Sequence, residues 1–309
     1  MGLTPTFQLP VDGLTYTREI FQRCSDLIAY DIWKDLDPSR FRQWLRNFTT
    51  REERYFAACI LDGLIYRPKD QTVSLVKQLF GRVLPDLTRL DASPLGCIDN
   101  WEERLRRSPD EGDPGVRLVT AVRRVDPPTK SAHYVARLMK REHSVREEWI
   151  IKPWEILPAI AKGIRVYIFV DDFLATGDQF SKFFSEENLH SLSGYYLVYA
   201  PLAAHTSGIE LLSRSFPALR VAPVETLDRS YGLFSPESRY FDDGLNTPEG
   251  AKVFYEQVLK SKGIKIDPAL RGGYGDLELA YVFEHAAPDN CLPIFWWPHA
   301  SGWTPFFHR

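Results

Sequence analysis

The segment VYIFVDDFLATGDQF, residues 166–180, decides the fold predicted for this chain. Its first five residues are β-branched or aromatic, which is typical of a buried strand. Two adjacent carboxylates follow, Asp171 and Asp172, and a loop of small residues then leads to Phe180, Phe183 and Phe184 at helical spacing. The order of strand, acidic pair, loop and helix predicts one unit of an open α/β sheet, in which ligands bind at the carboxyl ends of the strands.

The chemistry of this segment indicates a sugar phosphate as ligand. Carboxylates such as Asp171 and Asp172 bind a sugar diol or a hydrated Mg²⁺, and a helix that begins after a small-residue loop binds phosphate through its backbone N–H groups. A ribose 5-phosphate carries both features. Two ordinary interpretations stay open, because the acids could simply end the strand and residues 175–179 could be a plain helix N-cap loop.

Composition places the chain among ordinary globular proteins. With 309 residues and 35.6 kDa it is long enough for one large domain or two smaller ones. The net charge of −3 gives no overall signature of nucleic-acid or membrane binding. Since there is no signal peptide and no apolar run of about 20 residues, we expect a soluble cytoplasmic protein. The cysteines lack metal-ligand spacing, and reduced thiols are expected at Cys24, Cys59, Cys97 and Cys291.

Three consecutive regions are predicted along the chain. Residues 1–110 carry apolar stripes at helical spacing and form an N-terminal helical region. In residues 111–230 strand-like runs alternate with helical segments, which predicts an α/β core with a mostly parallel sheet and helices on both faces. Residues 231–309 form an α+β C-terminal extension packed on the core. The tryptophan-rich tail of this extension is a docked segment or, alternatively, a stacking platform for a base.

A second group of polar residues lies in the loop after the first core strand. Residues 117–146 hold eight basic and two acidic side chains, although the whole chain is negative. A solvated helix face accounts for part of this charge, and direct nucleic-acid binding is a weaker alternative. In a parallel sheet this loop lies beside the acidic pair. A polyphosphate bridged by Mg²⁺ would then contact Arg123, Arg124, Lys130 and Ser131.

Several enzyme classes lack their motifs in this sequence. The histidines show no HExxH or other metal-ligand spacing. Neither a GxSxG nucleophile elbow nor a GxxxxGK[ST] loop is present. The sequence therefore gives no indication of a zinc protease, a serine hydrolase or a P-loop nucleotide hydrolase.

Residues 169–179, FVDDFLATGDQ, resemble the phosphoribosyl-diphosphate (PRPP) binding motif of type I phosphoribosyltransferases. In that family a hydrophobic strand leads to two acids and a Thr/Ser-Gly phosphate loop. The resemblance implies a catalytic and metal-binding role for Asp171 and Asp172, at the ribose hydroxyls. It also implies that residues 123–131 take the place of the pyrophosphate loop. The 5-phosphate would be held by Ala175, Thr176, Gly177, Asp178 and Gln179.

Three C-terminal segments resemble one subfamily, the phosphoribosyltransferase-like proteins with a C-terminal extension (PRTase-CE). They are GGYGDLELAYVF, NCLPIFWW and GWTPFFHR, which begin at residues 272, 290 and 302. Such proteins occur in bacterial antiphage defence loci, sometimes beside retron reverse transcriptases. The resemblance implies an effector that binds Mg²⁺–PRPP or a related nucleotide and acts at the ribose anomeric carbon. It also implies a defence partner protein, either a reverse transcriptase or a DNA-binding subunit, and allows a homo-oligomer.

A non-catalytic role is the alternative within the same resemblance, as a nucleotide sensor or an assembly subunit of a defence complex. Two features depart from the family pattern. Gln179 stands where the motif favours Thr or Ser, and the pair Pro127-Pro128 replaces the small residues of the pyrophosphate loop. The first change removes a phosphate-contacting hydroxyl, and both changes argue against ordinary salvage chemistry, whereas the acidic pair is intact. The sequence therefore supports sugar-phosphate binding more strongly than it supports catalytic turnover.

Overall fold

A computed structural model describes residues 7–90, 96, 98, 100–109, 115–127, 130–241, 243–298 and 302–307. The helices, numbered in chain order, are α1 Gly13–Ala29, α2 Pro38–Leu45, α3 Arg51–Asp62, α4 Lys69–Gln78, α5 Leu84–Leu90, α6 Trp101–Arg106, α7 Ser131–Glu142, α8 Ile156–Ala161, α9 Asp178–Glu186, α10 Thr206–Ser215 and α11 Pro248–Ser261. The strands are β1 Ile65–Arg67, β2 Val116–Thr120, β3 Ile150–Ile151, β4 Val166–Leu174, β5 Tyr196–His205, β6 Leu219–Val221, β7 Glu225–Leu227 and β8 Tyr281–Phe283.

The chain divides into two compact units. The first is built from two separate stretches, Met1–Asp70 and Asp228–Arg309, and the second is Gln71–Leu227. This division differs from the three consecutive regions expected from the sequence. Residues 71–90 belong to the unit that holds the large sheet, and the residues from 228 onward share a unit with the first 70.

The second unit contains, in its described residues, a six-stranded sheet of order β3-β2-β4-β5-β6, with β7 also paired to β5. All of these pairings are parallel, which confirms the α/β class predicted from the alternation of strands and helices. Because the strands are parallel, their C-terminal ends lie together at one side of the sheet. We call this side the carboxyl edge.

Helices cover both faces of this sheet. Along β4 the side chains alternate, as the two-residue period of a strand requires. Val166 and Ile168 pack in one cluster with Val135 of α7, whereas Tyr167 and Phe169 pack on the other face with the phenylalanines of α9. Each fully buried side chain of this size contributes about 1.5–3 kcal/mol to folding. The prediction of helices on both faces is thus confirmed.

The first unit has an aromatic core formed by its N-terminal helices and its C-terminal residues. The Trp44 indole of α2 donates a hydrogen bond to the Ile294 carbonyl at 3.0 Å and stacks on Phe295. Trp303 and Phe306 are buried in the same core. The tail therefore docks within this unit, which is the first of the two roles proposed for it.

Local sequence signals set several helix starts. Thr50 and Glu53 form the predicted capping box at α3, where the Glu53 N–H donates to Thr50 Oγ1 at 3.1 Å. Asp37 caps α2, with Pro38 in its first turn. Cys24, Cys59 and Cys291 are free and buried, while Cys97 lies outside the described residues. Within the described ranges, no helix combines the length and apolar character needed to span a membrane.

Candidate functional site

The acidic pair, Asp171 and Asp172, lies at the carboxyl edge of the sheet. β2 ends at Thr120, which pairs with Val170, so the acids follow directly beyond the end of the neighbouring strand. β4 itself continues to Leu174 beside β5, four residues further than the predicted strand. The extension forms because β5 also continues, to His205, and supplies backbone partners for it.

The two carboxyl groups interact with each other and with backbone amides. The Asp172 N–H donates to Asp171 Oδ1 at 3.0 Å, and the Phe173 N–H donates to Asp172 Oδ1 at 2.9 Å. Burial, and then the negative charge of Asp172, raise the pKa of Asp171 well above its usual range, while the positive charge of Lys130 partly opposes this rise. A bound cation would lower that pKa and stabilise the doubly ionised pair.

A magnesium ion fits this pair only together with a phosphate ligand. Among the described residues, no group of three or more His, Cys, Asp or Glu side chains could hold a metal. Mg²⁺ is commonly held by one or two carboxylates, waters and the phosphates of a substrate. Asp171 and Asp172 meet that requirement, since they supply two carboxylates at the end of a strand.

The loop after β4 leads into α9 without a side-chain cap. Gly177 occupies the N-cap position with φ 90°, a left-handed conformation that glycine adopts without strain. Thr176 Oγ1 donates to Asp178 Oδ2 at 2.9 Å, and the side chains of Asp178 and Gln179 are exposed. The structure thus brings all five predicted phosphate-binding residues to the start of one helix, where backbone N–H groups favour an anion.

Gly208 in α10 packs closely against this loop. The sequence analysis did not predict this residue as part of the site. A Cβ atom at position 208 would lie 2.3 Å from the Ala175 carbonyl oxygen and 2.9 Å from Leu174 Cγ. A Cβ atom on Gly177 would lie 3.2 Å from the carbonyl oxygen of Gly208. The loop and the first turn of α10 therefore pack backbone against backbone.

The loop after β2 carries a cluster of charges that bind one another. Arg123 Nη2 lies 2.8 Å and Lys130 Nζ 2.9 Å from the carboxylate of Asp126. Arg123 also donates to Glu186 Oε2 at 2.8 Å. Burial opposes ionisation of Asp126, but the hydrogen bonds from Arg123 and then Lys130 outweigh it, and the pKa of Asp126 falls below its usual range. Part of the positive charge predicted to face a polyphosphate is thus neutralised within the loop.

Arg124 and Ser131 occupy different places from this cluster. The Arg124 guanidinium lies over the Trp154 ring, 4.9 Å from its centroid. Ser131 is the first residue of α7, whose N-cap position, Lys130, forms no side-chain cap. Pro127 is exposed, and Pro128 lies outside the described residues. Two helices, α7 and α9, therefore begin at the carboxyl edge without a side-chain cap.

Two further residues of the site were not predicted. Tyr199 of β5 is fully buried and donates to Asp171 Oδ2 at 3.4 Å. Thr120 is 4% exposed, and its hydroxyl has no hydrogen-bond partner in the described part of the chain. Both lie on strands beside β4, and the strand order that brings them to the acidic pair cannot be read from local periodicity.

Comparison with known proteins agrees with this fold. A family model named PRTase-CE matches residues 41–309, which include the acidic pair, its loop and the C-terminal segments. The fold and the match define a phosphoribosyltransferase-like protein. The chain belongs to the PRTase-CE family. Among curated proteins, the comparison found no match to this chain.

Proposed function

We propose that this protein binds Mg²⁺–PRPP or a related ribose phosphate at the carboxyl edge and acts at the ribose anomeric carbon. One observation carries the proposal: the half-buried Asp171 and the buried Asp172 stand one short loop before the start of α9, whose N-cap residue, Gly177, forms no side-chain cap. The carboxylates can bind a diol or a metal, and the start of the helix can bind a phosphate. A ribose 5-phosphate needs both kinds of contact close together.

Each residue has a role in this proposal. Asp171 and Asp172 position the ribose hydroxyls and hold the metal, which would supply charge neutralisation for the phosphates. Thr176 and the backbone amides from Gly177 to Gln179 hold the 5-phosphate. The start of α7 at Ser131 faces the pyrophosphate, together with Arg123 and Lys130. Catalysis is then mostly positioning and charge stabilisation, without a covalent nucleophile.

The biological setting is proposed from the family resemblance. In an antiphage defence system the activity would modify or deplete nucleotides, and a partner such as a reverse transcriptase or a DNA-binding subunit would keep it silent until infection. Cytoplasmic location and self-association belong to the same proposal.

A non-catalytic nucleotide sensor is the second candidate, and the Asp126 cluster favours it. Arg123 and Lys130 are already paired with that carboxylate. A departing pyrophosphate would have to compete with Asp126 for both cations, whereas a bound sugar phosphate needs neither of them.

Titration calorimetry with PRPP and Mg²⁺ tests the site. Wild type is expected to bind, and the double variant Asp171→Asn/Asp172→Asn is expected to lose binding by a factor of at least about 100, as removal of two charge-assisted contacts predicts. Absence of PRPP binding by wild type would refute the PRPP proposal. Binding without pyrophosphate release, across a panel of bases and nucleotides, would favour the sensor.

A further inference from the structure

Two cations converge on one indole beside the proposed site. Trp154 is half-buried in a 3₁₀ turn, Pro153–Glu155, directly after β3. The Arg124 Cζ atom lies 4.9 Å from the centroid of the Trp154 ring, and the Lys152 Nζ atom lies 5.5 Å from it. Both distances are within the range at which a cation is attracted to an aromatic face.

Among the described residues, no carboxylate neutralises either of these cations. In the part of the chain that the structure describes, Arg124 and Lys152 form no ion pair. The acid nearest to Lys152 in sequence, Glu155, accepts the backbone N–H of Lys152 at 2.7 Å. By contrast Arg123, the residue before Arg124, forms ion pairs with both Asp126 and Glu186. Both side chains are exposed, so an anionic ligand can reach the two cations from solvent.

The pKa of the neighbouring His133 is affected by the positive charges in this region. Its pKa is lowered by burial first, and then by the charges of Lys152, Arg137 and Lys130, with Asp126 in weak opposition. After burial, the positive charge of these three side chains therefore adds to the resistance of this imidazole to protonation.

The location connects this group of residues with the acidic pair. β3 pairs in parallel with β2, and β2 pairs in parallel with β4. The turn that holds Trp154 therefore opens at the same carboxyl edge as Asp171.

We propose that Arg124, Lys152 and Trp154 form a nucleotide subsite, in which the two cations bind a phosphate group and the indole stacks on the base. This subsite rests on the proposed function, because it would bind the molecule that accepts the ribose phosphate. The acceptor is then a nucleotide and not a free base. An aromatic platform flanked by cations suits a ligand that is both planar and anionic, and a neutral base would leave the two charges unpaired.

The test is calorimetric titration of AMP without Mg²⁺, in excess ribose 5-phosphate. The sugar phosphate fills the proposed loop at α9 but has no base to stack on Trp154. Wild type is expected to bind AMP under these conditions. Trp154→Ala and the double variant Arg124→Gln/Lys152→Gln are each expected to weaken binding at least about fivefold, the lower limit of a lost base–aromatic stack. Trp154→Phe should retain most of the affinity. Adenosine and inorganic phosphate should each bind wild type more weakly than AMP.

A matched control lies at the opposite edge of the same sheet. Arg165 lies over the Tyr195 ring at 5.9 Å, and these residues directly precede β4 and β5. Tyr195→Ala should leave AMP affinity unchanged. Equal AMP binding by wild type and Trp154→Ala, or no AMP binding by wild type, would overturn the subsite. Failure of ribose 5-phosphate to bind would instead count against the proposed function.

Discussion

The phenolic hydroxyl of Tyr199 donates a hydrogen bond to Asp171 Oδ2 at 3.4 Å, while the ring of Tyr199 stacks on Phe180 at 3.7 Å between centroids. One buried side chain of β5 thus contacts both the acidic pair and helix α9. The position of Asp171 is coupled in this way to the start of α9.

Tyr199→Phe retains the stacked ring and removes only the donor. A hydrogen bond to a carboxylate stabilises its ionised form, so its loss raises the pKa of Asp171 further. We expect Mg²⁺–PRPP affinity at neutral pH to fall about two- to tenfold, and the pH midpoint of binding to move upward. Titrations across pH measure both values, and an unchanged midpoint would contradict the prediction.

Asp171→Asn should stabilise the ligand-free protein at neutral pH. Because the pKa of Asp171 is raised by folding, the native state holds more protons than the unfolded chain above the unfolded value of about 3.9. Stability therefore falls as pH rises through the window between the two pKa values. The amide removes this loss, so the melting temperature should rise above that of wild type at pH 7.5 and not at pH 3. A variant less stable than wild type at pH 7.5 would disprove the argument.

Thr120→Val should also stabilise the ligand-free protein. The Thr120 hydroxyl is buried without a partner in the described residues, and removing such a group is expected to raise the free energy of unfolding by about 1 kcal/mol. Thr88 is the control, because its buried hydroxyl donates to the Pro85 carbonyl at 2.9 Å. Thr88→Val should lower the same quantity. Urea unfolding distinguishes the two, and equal signs for both variants would refute the assignment.

Gly208→Ala tests the contact between the loop and α10. The added Cβ would lie 2.3 Å from the Ala175 carbonyl oxygen, so the loop must shift, at a cost of about 1–3 kcal/mol. Affinity for ribose 5-phosphate should fall with it. Gly81→Ala is the control, since a Cβ there meets nothing within 4 Å and should leave stability unchanged or slightly higher. Similar effects of both substitutions would argue against a special role for position 208.

Asp126→Asn should release Arg123 and Lys130. Since folding lowers the pKa of Asp126, its stabilising effect is fully present above the unfolded value of about 3.9 and declines as pH falls below it. We expect a loss of roughly 1–3 kcal/mol at pH 7 that shrinks in acid. If the pyrophosphate site is real, affinity for inorganic pyrophosphate should rise, because two cations become available. A fall in that affinity would support the sensor.

Sequence periodicity was sufficient for the parallel sheet and for the placement of the candidate site residues at its carboxyl edge. The hydrophobic run of residues 166–170 and the alternation around it predict parallel strands, and the carboxyl ends of parallel strands lie together for any such sheet. Asp171, Asp172 and residues 175–179 follow from that argument without knowledge of side-chain contacts.

The remaining features depend on pairings between distant residues. The extension of β4 to Leu174 requires β5 as partner, and Tyr199 reaches Asp171 only because these strands are adjacent. Asp126 appeared in the sequence as a minor acid in a basic stretch, whereas the structure shows that it binds two of the predicted cations. Likewise, β1 pairs with β8 across more than 200 residues, which no local signal specifies.

The core of the first unit is formed by two stretches that lie far apart in sequence, as the hydrogen bond from the Trp44 indole to the Ile294 carbonyl illustrates. During synthesis its helices α1 to α3 emerge long before their partners in residues 228–309. The second unit, Gln71–Leu227, is continuous in sequence, so all its strands and helices are present as soon as it leaves the ribosome. The sheet with its proposed site can thus form first, and an unfinished chain exposes the aromatic face of its earliest helices until the final segment arrives.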